Sequence, residues 1–305
     1  MEESPYIALA YYHFTPMEVP QREVLRYKEF LLFRDIKGRI YISKEGINAQ
    51  MSLHRSELAS FLEWLGKDIE VKMQPCYEHA FYKTVVKVRN QLVAFDRPVD
   101  LSKRGQYISP REWKEKLETK EENRVVVDVR NQYESDIGHF EGAVLPPCDT
   151  FREFAEYAEE LKKKVDPEKG TVMMYCTGGI RCEYYSSFLR EQGFQNIYQL
   201  HGGVIQYGLD EGTKHWKGKL FVFDDRLGVP LNDNKEEAIS HCKHCGKPCD
   251  VYYNCANMDC NALFVSCHSC GEKHIGCCCE ECKSAARLRP YDKSTQPKPF
   301  RKWQK

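Results

Sequence analysis

A thiol, two glycines and an arginine stand close together in one segment of the sequence, Tyr175-Cys176-Thr177-Gly178-Gly179-Ile180-Arg181-Cys182. The segment follows a short apolar run and precedes a stretch with helical periodicity, which predicts a loop between a strand and a helix. Paired glycines let such a loop curl until its backbone N–H groups, those of Thr177, Gly178, Gly179 and Ile180, converge on one point. The positive end of the following helix adds to them. A thiol at that point, with Arg181 beside it, is expected to ionise readily and to react as a thiolate.

The predicted loop suits more than one anion, including a persulfide on Cys176 or a bound phosphate. A lone cysteine after an apolar strand can also be an inert, buried residue. The glycine pair, the arginine and the second cysteine, Cys182, favour a functional thiol at Cys176.

The C-terminal part of the chain holds 11 of the 15 cysteines, all between Cys242 and Cys282. We expect a reducing compartment, in which disulfides are rare, so metal binding is the better explanation. Eight thiolates would suffice for about two tetrahedral zinc sites, which would be structural because four thiolates leave no open position. The pairs at ligand spacing are Cys242 and Cys245, Cys255 and Cys260, Cys267 and Cys270, and Cys279 and Cys282.

The choice and pairing of these ligands have alternatives. Cys249, Cys277 and Cys278 are surplus to the four pairs. The pairs could combine in an interleaved order, first with third and second with fourth, or consecutively. An iron–sulfur cluster is the alternative to zinc, and it would be able to carry electrons.

The 45 Lys and Arg residues balance 45 Asp and Glu residues, but the charges are unevenly spread. Segment 283–305 carries eight basic residues and one acidic residue, so its net charge is +7 and that of residues 1–282 is −7. A basic tail that contains Arg301, Lys302 and Trp303 suits RNA loops, whose unstacked bases are available to aromatic side chains. A merely solubilising tail is the alternative.

The composition, 42% apolar and 30% charged residues, is that of a folded globular protein. No apolar run approaches the roughly 18 residues that a transmembrane helix needs. The acidic start of the chain lacks the basic region of a secretory signal. We therefore expect no membrane partner and a cytoplasmic location.

Residues 1–97 predict a small α+β domain with the element order βαββαβ, the ferredoxin-like arrangement. Strands are expected at 6–12, 38–42, 46–51 and 85–93, and helices at 19–33 and 56–65. A polar linker then leads to an α/β domain at 105–220, followed by a Cys-rich metal-binding module at 241–282 and the basic tail at 283–305.

The α/β domain is predicted from two kinds of local signal. Ser109, Pro110 and Glu112 have the types and spacing of a helix start with a capping box. The runs 125–129 and 171–175 are continuously apolar, as in strands buried on both faces of a parallel sheet, and 151–164 and 181–192 have helical periodicity.

The α/β segment resembles rhodanese domains. The spacing of Cys176 and Arg181 is similar to their active loop, and the loop has the length of the sulfur-handling branch rather than of the related phosphatases. Residues that resemble the preceding rhodanese motif are Asp128-Val129-Arg130, Tyr133-Glu134 and Gly138-His139-Phe140-Glu141-Gly142-Ala143. The resemblance implies a rhodanese parallel sheet, with Asp128 and Arg130 as a structural ion pair under the loop; a direct catalytic role for the pair is the alternative.

Motifs along nearly the whole chain together resemble the rhodanese-containing tRNA uridine hydroxylases. They are Glu45-Gly46-Ile47-Asn48, the Cys176 loop with Glu183, Phe221-Val222-Phe223-Asp224-Asp225-Arg226 and the Cys-rich module, in that order. One departure is Ala49-Gln50, where the family usually has Gly-Thr. The resemblance implies an oxidoreductase that uses molecular oxygen to convert the wobble uridine, in the anticodon loop of certain tRNAs, to 5-hydroxyuridine.

This reaction requires a nucleophile, because C5 of uridine does not react with an oxidant unaided. Our hypothesis is that Cys176 adds to C6, that Arg181 and the loop amides stabilise the negative charge that develops, and that Cys182 resolves an oxidised or persulfidated Cys176. No flavin or haem motif is evident in the sequence. The alternatives are a sulfurtransferase or persulfide carrier that uses the same loop, and a non-enzymatic RNA-binding protein.

Overall fold

The computed structural model describes residues 4–232 and 236–291 of the chain. The end of the predicted basic tail, which includes Arg301, Lys302 and Trp303, lies outside these residues. Across the two described ranges, no helix combines the length and the apolar composition that crossing a membrane requires.

The N-terminal domain is a sheet with the strand order β4-β1-β3-β2-β5, covered on one face by two helices. Alternate residues of its strands, among them Leu9, Ile40 and Met51, pack against these helices. The other face carries the intervening, more polar side chains. Its elements are β1 (Tyr6–Phe14), α1 (Pro20–Leu31), β2 (Ile36–Ser43), β3 (Gly46–His54), α2 (Leu58–Leu65), β4 (Lys72–Cys76) and β5 (Val85–Val88).

The predicted ferredoxin-like fold is confirmed, but the assignment of its last strand is wrong. The fourth strand is β4, whose sequence Lys-Met-Gln-Pro-Cys lacks an apolar alternation and contains Pro75. Proline is tolerated there because β4 lies at the edge of the sheet. The strand predicted at 85–93 is β5, which ends at Val88 and adds a fifth strand parallel to β2.

The central domain contains a parallel sheet with the strand order β6-β10-β9-β7. All five residues of β9 are buried, because helices cover both faces of the sheet. Val172 and Met174 face one core, and Met173 and Tyr175 face the other. The capping box predicted at Ser109 is present. The elements are β6 (Gln106–Ile108), α3 (Pro110–Glu118), β7 (Arg124–Asp128), α4 (Gln132–Ser135), β8 (Gly138–Phe140), α5 (Phe154–Lys162), β9 (Thr171–Tyr175), α6 (Ile180–Glu191), β10 (Asn196–Leu200), α7 (Gly203–Glu211) and β11 (Trp216–Gly218).

The C-terminal part consists of short elements around cysteines and packs on the central domain. Tyr252 donates a hydrogen bond of 2.5 Å to the carbonyl of Tyr133, and Lys219 pairs with Asp250 at 3.0 Å. Its elements are β12 (Leu220–Phe221), β13 (Gly228–Val229), β14 (Tyr252–Asn254), β15 (Leu263–Val265), α8 (His268–Lys273) and α9 (Glu280–Lys283).

Candidate active site

The predicted thiol loop connects the carboxyl end of β9 to the start of α6. Gly179, directly before α6, has a φ of 106°, a backbone conformation that favours glycine. A Cβ atom at this position would lie 2.8 Å from the hydroxyl oxygen of Tyr12, which reaches the loop from β1. The glycine is therefore required both by the turn and by the close approach of the N-terminal domain.

The Cys176 thiol lies inside the curl of this loop and is 1% exposed. Its Sγ accepts a hydrogen bond of 3.1 Å from the amide of Gly179. Burial alone would raise the pKa of Cys176. Its effect is outweighed by the hydrogen bond from Cys182, the charge of Arg181 and the amides of Arg181 and Gly179, which lower the pKa to about 5. Cys176 is therefore a thiolate at neutral pH.

Cys182 is the protonated partner of this thiolate. Burial raises the pKa of Cys182 well above its ordinary value, and the hydrogen bond to Cys176 raises the pKa further. One proton shared between the two sulfurs stays on Cys182, which donates it to Cys176 as a hydrogen bond.

The carboxylate of Glu134 holds Arg181 in place; the chemistry of the loop residues alone does not predict this partner. Glu134, fully buried on α4, forms a two-pronged ion pair with Arg181; one of its hydrogen bonds, from Nη2 to Oε2, is 2.8 Å long. Glu134 also accepts a hydrogen bond from the amide of Asn131 and so is fixed itself. Glu134 thus sets the position of the cation whose charge stabilises the Cys176 thiolate.

Asp128 and Arg130 form the predicted ion pair beneath the loop, and both side chains are fully buried. The Arg130 Nη2 lies 2.5 Å from Asp128 Oδ2 and 2.6 Å from the carbonyl of Gly138. Neither side chain lines the cavity that opens over the thiol. The Arg130 guanidinium lies 5.6 Å from the ring of Tyr175, the residue directly before Cys176.

Replacing Asp128 by alanine is expected to destabilise the protein by about 3–5 kcal/mol, because a buried guanidinium would lose its counter-charge. Urea unfolding of variant and parent measures the difference. Glu115→Ala is the control, since it breaks an exposed pair with Arg111 and should change little. Equal unfolding midpoints for Asp128→Ala and the parent would contradict the structural role.

A cavity of about 430 Å³ opens over the thiol, between the loop and the helix-free face of the N-terminal sheet. Cys176 and Arg181 line its floor, Gln50 and Lys72 its opposite wall, and Phe223 one side. Cavities of this size accommodate small organic ligands.

Hydrogen bonds also join the N-terminal domain to the central domain beside this cavity. Two adjacent residues of α6 make them: Glu183 accepts from the Tyr12 hydroxyl at 2.9 Å, and Tyr184 donates to Glu45 at 2.5 Å. Glu45 also accepts a hydrogen bond from the amide of Leu92. The motifs around Glu45 and Glu183, far apart in sequence, therefore meet at the domain interface.

The motif at residues 221–226 forms the third side of the cavity. Asp224 and Arg226 pair at 2.6 Å, and the amide of Asp225 donates to the carbonyl of Ala80 in the N-terminal domain. Phe223 lies 5.5 Å from the guanidinium of Arg181. This segment thus links all three parts of the chain around the thiol.

The C-terminal cysteines converge in two groups of four within the described residues, Cys242, Cys245, Cys267 and Cys270, and Cys255, Cys260, Cys278 and Cys282. The first group combines the first and third predicted pairs, and the second group has Cys278 where Cys279 was predicted. Cys279 is the residue directly before α9, and Cys278 is the more buried of the two neighbours.

The sulfur positions fit a single tetrahedral ion in each group. A Zn–S distance of about 2.3 Å places the corners of a tetrahedron ~3.8 Å apart. The Sγ atoms of Cys245 and Cys267 are 3.8 Å apart, those of Cys260 and Cys278 are 3.7 Å apart, and all members of a group lie within 4.8 Å of one another. A cluster of several iron atoms would hold its thiolates further apart.

A parallel α/β domain that presents a cysteine in a glycine-containing anion loop is typical of rhodanese-type domains. Residues 109–210 match the Rhodanese-like domain, residues 6–92 the UPF0176 acylphosphatase like domain, and residues 217–283 the Rhodanase C-terminal family. These matches confirm the predicted fold classes of the N-terminal and central domains.

Curated relatives cover nearly the whole chain. A protein of Protochlamydia amoebophila is 51% identical, with 99% of this chain and 95% of the relative aligned. Relatives in Chlamydia felis and Chlamydia caviae are 52% and 50% identical, with 97% of this chain and 93% and 91% of their own lengths aligned. All three are called tRNA uridine(34) hydroxylase. This chain belongs to that family.

Proposed function

We propose that this protein hydroxylates C5 of uridine 34, the wobble uridine of tRNA, with molecular oxygen as co-substrate. The observation that supports the proposal best is a thiolate, Cys176, in an anion-stabilising loop under a cavity of about 430 Å³. A pyrimidine base fits a space of this size once it has left the stack, as bases in anticodon loops can.

The chemistry begins with nucleophilic attack. The Cys176 thiolate bonds to C6, and the π electrons of the C5–C6 bond move toward O4, which makes C5 an electron-rich, enolate-like carbon. The C5 carbanion bonds to one atom of O2 and forms a hydroperoxide, which two equivalents of a cellular thiol reduce to the C5 hydroxyl with release of water and a disulfide. Loss of the C5 proton and departure of the thiolate from C6 then restore the double bond. The amide of Gly179 and the charge of Arg181 stabilise the thiolate before attack and after departure.

We infer a protective and resolving role for Cys182. Its thiol donates a hydrogen bond to Cys176, so it is in place to attack a Cys176 that has been oxidised to a sulfenic acid. That step forms a disulfide and releases water, and a cellular thiol then returns both cysteines to the reduced state.

We further propose that each cysteine group holds one structural zinc ion. Four thiolates at tetrahedral spacing surround each site, which leaves no open position for a substrate. The bound ions would stabilise the C-terminal module.

Sulfur transfer is the second candidate function, because the same loop amides and Arg181 would stabilise a persulfide on Cys176. The two functions differ in product. A hydroxylase changes the nucleosides of tRNA, whereas a thiosulfate sulfurtransferase produces thiocyanate from cyanide.

Nucleoside mass spectrometry of tRNA from cells lacking this protein tests the proposal. We expect 5-hydroxyuridine and the nucleosides built on it to disappear, and to return with the intact protein but not with Cys176→Ser. Cys279→Ser is the matched control, since it removes a thiol that lies outside the loop and outside both metal groups. An unchanged nucleoside profile in cells without the protein would refute the hydroxylase function and leave sulfur transfer as the candidate.

A further inference from the structure

Lys72 is a buried cation in the wall of the cavity that faces the thiol loop. It begins β4, and its side chain is 7% exposed. A Cβ atom on Gly202 would lie 3.2 Å from Cε of Lys72, and one on the adjacent Gly203 would lie 2.6 Å from the carbonyl oxygen of Cys176. The lysine stem therefore packs on the turn that directly supports the Cys176 loop.

The charge of Lys72 is only loosely compensated by the protein. Glu70 is 3.8 Å from the ammonium, which is longer than a hydrogen bond. Burial lowers the pKa of Lys72, while the charges of Glu70, Cys176 and Glu183 favour its charged form. Lysine is rarely buried unless it is paired, and the negative charge of Cys176, or of a group in the cavity to which this charge is passed, would compensate Lys72.

The N-terminal sheet presents a flat surface to the cavity beside Lys72. Lys72, Ala10, Gln50 and Arg39 are paired in one row across β4, β1, β3 and β2, so their side chains share the face toward the cavity. Neighbouring strands are about 4.8 Å apart, which separates the backbones of Lys72 and Gln50 by ~10 Å. Ala10 between them is small and leaves a hollow wide enough for one pyrimidine ring.

We propose that Lys72 binds the O4 edge of the target uracil in this hollow and neutralises the negative charge that reaches O4 when Cys176 adds to C6. This inference rests on the proposed hydroxylase function. As the S–C6 bond forms, the C5–C6 π pair shifts to C4–C5 and the C4–O4 π pair moves onto oxygen. Negative charge thus passes from the sulfur to O4, where the Lys72 ammonium neutralises it. No oxidant takes part in this step. The Gln50 amide, which donates to Asn48 at 2.7 Å, bounds the other side of the hollow.

The test compares Lys72→Met with Lys87→Met in the full-length protein. Lys87 is an exposed residue of β5 outside the cavity. Each substitution removes one positive charge from the protein, so both should weaken the general electrostatic attraction for tRNA to the same extent. We expect Lys72→Met to reduce the hydroxylation rate about 100-fold or more, as the loss of one oxyanion-stabilising donor does in other enzymes. Lys87→Met should stay near the parent, and the two variants should bind tRNA equally well.

A second readout separates this inference from the proposed function. tRNA with 5-fluorouridine at position 34 is expected to form a covalent adduct with Cys176 of the parent without any oxidant, and Lys72→Met should form it far more slowly. An equal rate of adduct formation in both proteins would overturn the role of Lys72. If the parent itself neither hydroxylates nor forms the adduct, the proposed function fails instead.

Ala10→Val provides an independent variant in case Lys72→Met does not fold, which circular dichroism would reveal. The added methyl groups narrow the hollow and leave the charge of Lys72 in place. We expect a strong loss of hydroxylation with an unchanged pH midpoint for alkylation of Cys176. Full activity of Ala10→Val would show that the base does not lie on this part of the sheet.

Discussion

Cys278→Ser is expected to release one of two metal ions from each chain, whereas Cys279→Ser should release neither. Cys278 belongs to the group with Cys255, Cys260 and Cys282, and Cys279 lies outside it. Binding to a structural zinc site contributes about 10–16 kcal/mol, so a site with three thiolates would not keep this part of the module folded. Metal analysis of the purified proteins measures the ratio of zinc to protein.

The two substitutions are well matched, since they remove the same atom from neighbouring residues. Thermal unfolding should show early melting of the C-terminal module for Cys278→Ser only. A loss of metal from Cys279→Ser with retention in Cys278→Ser would show that the neighbouring thiol is the ligand. Retention of two ions in both variants would contradict the four-cysteine site.

Alkylation of Cys176 is expected to have its pH midpoint near 5, because the thiolate is the reactive form and its pKa is lowered to about 5. The rate should rise as the pH increases through this value and reach a plateau below pH 7. At pH 6 an ordinary thiol is about 0.3% ionised and Cys176 about 90%. Since a less basic thiolate is a weaker nucleophile, the rate advantage at pH 6 is only on the order of tenfold. Iodoacetamide labelling followed by peptide mass spectrometry gives the midpoint.

The same experiment contains its controls. Cys148, whose pKa burial raises to about 12, should remain unlabelled below pH 9. Cys182→Ala removes a hydrogen bond that lowers the pKa of Cys176, so its midpoint should move upward. A midpoint near 8.5 in the parent would contradict the assignment of Cys176 as a thiolate at neutral pH.

Much of the central domain is predictable because its signals are local. The short apolar run that forms β9 is typical of a strand with both faces covered. The capping box at Ser109 uses atoms only three residues apart. The edge strand β4 gives no such signal. It pairs with one neighbouring strand, so its sequence needs no apolar alternation and can include Pro75.

The cysteine module shows where spacing stops being informative. The spacing of pairs predicted two sites and the interleaved arrangement as one option, since side chains about three to five positions apart can reach one ion. Cys278 and Cys279 are adjacent and equally compatible with such spacing. In the folded module Cys278 is a buried member of the group with Cys255, Cys260 and Cys282, whereas Cys279 is only partly buried beside it.

The kinds of chemistry available to this protein follow from residue types at short range, namely a thiol in a glycine loop and paired thiolates. The partners of these groups are set by the tertiary structure. Glu134 reaches Arg181 from 47 positions away, Tyr12 reaches Glu183 from 171, and Lys72 enters the cavity because of the register of β4 on β1. A local pattern cannot specify such contacts, because they arise only when separate elements pack together, and packing also determines how strongly each charge is shielded from water.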